Sequence, residues 1–388
     1  MKSEPYRKIL AGLLLCFMLS GCATRSSPPA SDYSLLKDDL FPHASASIPE
    51  TPEEVFRLSE SAKAFVNEIE KPGFDDKQHI AALIEAMLRT EEGIRYLTTA
   101  NSVAAETFAN REANCLSLTI LAYSMAEYAG FHPSLYEVNI PEFWTRRDGI
   151  SLLNGHVNMR ISTDDDLTKA SFTKNYLDVD FDPQMLRRHF SRVEISRDKV
   201  LAMFYNNKGA DALIAGDANE AYAYFRQAAV TYAPFVSTWV NLGVLYRQQG
   251  ELEAAEATYR HALALDEDNF TAWENLAVLY EVQGESDKAR AIQRSLHDKR
   301  EGNAFYHFIL GEEAFENGDA EAALSHYVKA QRLERNRHQI LFGLGKAYFE
   351  LGETDKAVTY IKMAARLAPG RHDEQRYLSK LPSLQSAL

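Results

Sequence analysis

Trp239-Val-Asn-Leu-Gly-Val-Leu-Tyr246 returns further along the chain as Trp273-Glu-Asn-Leu-Ala-Val-Leu-Tyr280. The same interval separates Gly216, Gly250, Gly284, Gly318 and Gly352, and it separates Ala221, Ala255, Ala289, Ala323 and Ala357. A fixed period of about 34 residues means stacked helix pairs. Each glycine marks the point where the first helix of a pair turns into the second. Each alanine marks a close approach of two helices, where a larger side chain would hold them apart. Seven positions before each glycine stands another small residue: Gly209, Gly243, Ala277, Gly311 and Gly345.

The two quoted segments resemble the first helix of tetratricopeptide repeats. Five copies in phase carry that resemblance from Ala202 to about Arg371. It implies an all-α solenoid over 199–371 whose concave groove binds a protein or peptide segment. A solenoid needs its exposed end covered. Tyr377, Leu378, Leu381 and Leu384, within 372–388, suit a capping helix.

The other end of the chain has a different character. Lys2, Arg7 and Lys8 precede an apolar run from Ile9 to Leu19. That run is too short to span a bilayer, which takes roughly 20 residues, and it fits a secretory signal. It ends in Leu19-Ser20-Gly21-Cys22, which resembles the lipobox of bacterial lipoproteins. The resemblance implies removal of 1–21, lipidation of Cys22, and anchoring in a membrane. With Ala23 rather than Asp next, it implies the outer membrane of a Gram-negative cell, on its periplasmic side. Residues 22–50 are rich in Ser, Pro and Ala and are expected to be a flexible tether.

Between tether and repeats, 51–198 reads as a separate α+β domain. Thr51-Pro-Glu-Glu54 is a helix start, with a cap, a proline in the first turn and acids at the positive end of the dipole. Asn114-Cys115 opens an almost wholly apolar helix that Gly130 closes. The period then changes to two. In 156–161, Val157, Met159 and Ile161 share one face, and His156, Asn158 and Arg160 share the other. In 176–181, Leu177, Val179 and Phe181 lie opposite Asp178 and Asp180. Cys115 falls in the first helical turn, where unpaired N–H groups and the dipole favour a thiolate and an oxyanion.

Cysteine at a helix start, then His and Asp on successive strands, resembles the transglutaminase-like (cysteine-proteinase-like) fold in order and in spacing. That resemblance covers roughly 55–195. It implies that Cys115 is a nucleophile, that His156 takes and returns its proton, and that Asp180 orients the imidazole. Asp178 is the alternative third member, and Asp182 ranks behind it. The chain departs from the family pattern at Ala113 and Val157, and at Val179 and Phe181, which follow Asp178 and Asp180 where the family has Pro; Asp182 is followed by Pro183. His79, His132 and His189 lack metal-ligand spacing and read as structural, and no cofactor is implied. Phe143 and Trp144 stand beside the site in sequence and form a possible lip over it.

Cys115 has no partner left for a disulfide or a thiolate zinc site once Cys16 leaves with the signal and Cys22 is acylated. The net charge of −13 disfavours nucleic acid as a partner. Two functions are consistent with these residues. One is thiol acyl transfer, with hydrolysis through a thioester favoured over transamidation, on a protein delivered by the repeats. The other is an inactive domain whose repeats act as a cell-envelope adaptor.

Overall fold

The computed structural model describes residues 32–47, 49–69, 76–88, 94–97, 99–138, 144–147, 150–153, 156–162, 176–179, 192–368 and 371–381. After three short 3-10 turns come α1 (Pro52–Phe56), α2 (Glu60–Ile69), α3 (Asp76–Leu88), β1 (Arg95–Tyr96), α4 (Ala104–Asn110), β2 (Glu112–Ala113) and α5 (Cys115–Tyr128). The strands β3 (His132–Val138), β4 (Trp144–Arg147), β5 (Ile150–Leu153), β6 (His156–Ser162), β7 (Tyr176–Val179) and β8 (Arg192–Ile195) come after them. A four-stranded antiparallel sheet runs in the order β7-β6-β3-β8. Thr51 caps α1 as the sequence suggests, its hydroxyl accepting from Glu54 N while Glu54 reaches back to Thr51 N.

α5 is apolar on nearly every side, so it must be covered on nearly every side. Leu116, Leu118, Ile120, Leu121 and Met125 are buried, and the helix packs between the sheet and α1, α2 and α4. Val157, Met159 and Ile161 supply the apolar face of β6 to that core.

The helix pairs come next. They are α6 (Arg197–Ala215) with α7 (Ala218–Thr231), α8 (Val236–Gln248) with α9 (Leu252–Leu265), and α10 (Phe270–Val282) with α11 (Ser286–Glu301). Then come α12 (Ala304–Glu316) with α13 (Ala320–Leu333), α14 (His338–Glu350) with α15 (Thr354–Arg366), and a final α16 (Arg371–Leu378). Tyr377 on α16 is fully buried and packs on Phe342, so the end of the stack is covered. The periodic glycines all have φ near +80°, and no atom lies within 4 Å of where a Cβ would sit. They are glycine because of backbone conformation, not crowding.

α6 is longer than the other first helices and belongs to two cores. Its residues 200–205 pack in the core around α5, while Ala212 and Leu213 pack among the repeats. The α+β part and the first helix pair therefore share one helix rather than meeting at a linker.

Residues 32–47 lie inside the stretch expected to be a flexible tether. They instead form a strap packed on the first two pairs. Phe41 stacks on Tyr222 at 4.3 Å with an interplanar angle of 12°. Tyr246 donates its hydroxyl to Leu35 O and accepts from Lys37 N. Asp38 accepts from Tyr222 and from Arg226. Glu50 then ties the strap's end to the first pair, accepting from Tyr205 and Tyr224 and pairing with Lys208.

The repeat core is divided. One apolar cluster ends at α11 and another starts at α12. The reason is local: α11 is dominated by charge and is held by Lys299–Asp268 and Arg300–Glu274 pairs. At this seam His307 is buried, its ring centroid 5.9 Å from that of His326. Glu301 lies 3.8 Å from His307 and also pairs with Lys329. Burial, then His307 and Lys329, hold the His326 pKa below its ordinary 6.5, with Glu301 opposing. The folded state therefore favours neutral His326, and the unfolded chain binds its proton more readily. Stability is complete above pH 6.5 and falls as pH drops below it. Thermal midpoints recorded from neutral to mildly acidic pH are expected to decline, and His326→Gln is expected to flatten the decline.

Candidate functional site

Asn114 is the N-cap of α5, and Cys115 is its first residue. The Asn114 side chain accepts from Ser117 N at 2.9 Å and donates to Asn101. Ser117 Oγ donates to Ala100 O and accepts from Ser102 N, so the 99–102 loop wraps the helix start. Cys115 is free and half-buried. Thr119, one turn on, places its hydroxyl 2.8 Å from Cys115 O and 3.4 Å from Val157 O. One hydroxyl thus joins the first turn of the cysteine helix to the start of β6. There the backbone of His156 pairs with Val138. Asn114→Ala is expected to cost about 1 kcal/mol of stability, as loss of an N-cap does. Urea denaturation would read that loss, and a cost near zero would show that the cap is redundant.

Asp180, Asp182, His189, Phe143 and Cys22 lie outside the described residues. Asp178, the alternative third member, is described and is engaged by other partners. Register places it opposite Arg160. His156 is four residues further along β6, about 13 Å at strand rise. Asp178 accepts from Arg160 at 2.8 and 3.3 Å and from Arg192 at 2.7 Å. Partial burial pushes its pKa up, but the hydrogen bonds from Arg160 and then Arg192 outweigh it and leave the carboxyl below its usual range. Its role is to hold β6, β7 and β8 together. His79 packs edge-on against Phe131 in the core, His132 opens β3, and Trp144 opens β4.

The repeats offer a second kind of site. Successive first helices touch, α6 with α8, α8 with α10, and α12 with α14. Their uncovered sides carry apolar residues: Ile214, Val278, Val282 and Phe349 are each more than a third exposed. Phe315 and Phe342 flank Lys346, which pairs with Glu312 at 2.8 Å and sits 4.6 Å from the Phe315 ring centre. These apolar residues recur on the first helices of the first, third and fifth pairs, with one fixed ion pair between Glu312 and Lys346 beside two phenylalanines.

A tetratricopeptide-repeat family model matches 243–284 and a second matches 310–372. The C-terminal part of the chain carries tetratricopeptide repeats. Among solved structures, the chain is similar to MamA at 21% identity, covering 43% of this chain and 91% of that one, with a TM-score of 0.24. It is similar to YrrB, a TPR protein with an unusual peptide-binding site, at 15% identity, covering 46% and 92%, TM-score 0.24. It is also similar to pilF of Pseudomonas aeruginosa at 18% identity, covering 50% and 89%, TM-score 0.26. No curated protein matches.

Within the tetratricopeptide array, the strap's contacts have an internal counterpart. Glu256, Arg260 and Tyr280 stand one repeat after Tyr222, Arg226 and Tyr246. Glu256 accepts from Arg260 and from Tyr280, each at 2.9 Å. Asp38 thus gives Arg226 and Tyr222 the carboxylate that Glu256 gives Arg260 and Tyr280 from within the array. Sequence reading found the repeats and the cysteine helix but not the strap. The cluster of apolar residues Tyr33, Leu35, Leu36, Leu40 and Phe41 in a stretch otherwise rich in Ser, Pro and Ala was its available signal.

Proposed function

We propose that the chain is an adaptor of the Gram-negative cell envelope, anchored to the periplasmic side of the outer membrane through lipid on Cys22. Its tetratricopeptide array holds a segment of a partner protein. The phased helix pairs carry this reading, because such an array leaves its first-helix side uncovered, and Ile214, Val278, Val282 and Phe349 are exposed on that side. A photoreactive amino acid at Val282 in the cell tests it. Discrete protein adducts are expected there, and they should disappear when Val278→Glu is added. Adducts of equal yield from Val230, on a second helix, would overturn the reading.

A second reading is favoured by the Thr119 bridge between the Cys115 turn and the start of β6. In it the Cys115 thiolate attacks an amide carbonyl of the bound partner and forms a tetrahedral oxyanion near the α5 N-terminus. Collapse breaks the C–N bond, and His156 protonates the departing amine. Asp180 orients His156, and water then hydrolyses the thioester. The rate of Cys115 alkylation against pH decides it. A thiol pKa well below about 8.5, raised by His156→Ala or Asp180→Ala, supports the site. A slow thiol indifferent to both substitutions rejects it and leaves the adaptor reading intact.

A further inference from the structure

The strap determines how the array sits against its membrane. We infer that the second-helix face of the first two repeats is turned toward the lipid surface, and the first-helix side away from it. This rests on the reading of Cys22 as the lipid-bearing residue.

Nine residues, ten steps along the chain, separate Cys22 from Asp32, where the strap begins. Whatever their conformation, they reach at most about 36 Å. Asp32 is not free to wander, because the strap it opens is fixed. The Phe41 ring is buried on Tyr222, and Leu35, Leu36 and Leu40 pack into the same apolar cluster. The Asp38–Arg226 pair at 2.8 Å and the two backbone bonds to Tyr246 add directional contacts. Two of these anchors, Tyr222 and Arg226, lie at i and i+4 on α7, a second helix. The strap also touches α9, the next second helix. The anchor point is therefore carried on the second-helix side. Without the strap, the lipid would connect to the fold only near Glu50. The reach would then be nearly three times longer and every orientation would be open.

No described helix is long and apolar enough to cross a membrane. The function of the arrangement is presentation: Ile214, exposed on the first helix of the first pair, faces the aqueous side.

The test uses the full lipidated chain in vesicles with an energy acceptor on the lipid headgroups. Donors are placed singly at Val230→Cys or Val282→Cys in a Cys115→Ser background. Val230 lies one further helical step beyond Tyr222 and Arg226 on α7 and is exposed, and Val282 is exposed on the first-helix side. Stronger transfer from position 230 than from position 282 is expected. Phe41→Ala with Arg226→Ala, which frees the strap, should abolish that difference while the protein stays bound to vesicles. Equal transfer from both positions, or stronger transfer from 282, with the strap intact overturns the inference. Failure of the chain to sediment with vesicles would instead reject the lipid anchor itself.

Discussion

Phe41→Ala is expected to cost about 3 kcal/mol, the low end of the range for emptying a buried phenylalanine site. The ring is 4% exposed, stacked on Tyr222 and 6.1 Å from the Tyr246 ring centre. Its removal leaves two tyrosine faces without contact partners. The nearby ion pair is the weaker element. Asp38 and Arg226 are both substantially exposed, and exposed pairs are worth about 0–1 kcal/mol. The hydrogen bonds from Arg226 and then Tyr222 hold the Asp38 carboxyl below its ordinary 3.8. The pair's contribution is thus complete at neutral pH and is lost only as pH falls below that value. Asp38→Asn should therefore do little beside Phe41→Ala. Because the strap can peel away from an intact array, the measured loss is bounded by the strap's own docking energy. Limited proteolysis at Lys37 separates the two routes. Rapid cleavage in Phe41→Ala, with the array still folded, means that the strap has detached. Resistance equal to the wild type, with unchanged denaturation, would show that the ring does not hold it.

The repeats were legible because everything that specifies them is local and recurs. A left-handed glycine, a small residue at the helix contact and a large side chain facing it return from one helix pair to the next. The cysteine helix was legible for a similar reason, since an asparagine before an unbroken apolar run is a start signal in itself. The strap was not, because its partners Tyr222, Arg226 and Tyr246 stand far along the chain and its few apolar residues follow no period. The Ser, Pro and Ala of 23–31 and 42–49 gave the whole stretch a tether-like composition that hid the apolar residues between them. Asp178 shows the limit of reading a strand by alternation. Alternation gives the face, and Asp178 does share its face with Arg160. Which residue on that face it meets depends on the register with β6, and register is set by the pairing of distant strands. Alternation therefore names the face of Asp178 but not the arginines that hold it.

Gly243→Ala is expected to destabilise the array by about 1–3 kcal/mol, the usual cost of forcing atoms into a packed core. Helix propensity points the other way, since alanine is favoured over glycine by about 1 kcal/mol inside a helix. Space decides the sign. A Cβ at Gly243 would come under 3.0 Å from three ring atoms of Tyr259, which is fully buried and cannot swing aside. The array contains its own control. Gly209 meets Phe225, Gly311 meets Tyr327 and Gly345 meets Ile361, each closer than a Cβ allows. The equivalent position in the third repeat is Ala277, and there the residue corresponding to Tyr259 is Gln293. Alanine is found where the facing residue is the flexible Gln293 rather than a ring or the branched Ile361. The cost of Gly243→Ala should accordingly shrink, or turn into a gain, in a Tyr259→Gln background, even though Tyr259→Gln is itself destabilising through the cavity it leaves. Urea denaturation of the two single variants and the double variant closes the cycle. If Gly243→Ala costs the same in both backgrounds, the ring is not what excludes the methyl group. Gly243 lies inside the helix and, unlike Gly250 at the turn that ends it, has no left-handed backbone to require glycine.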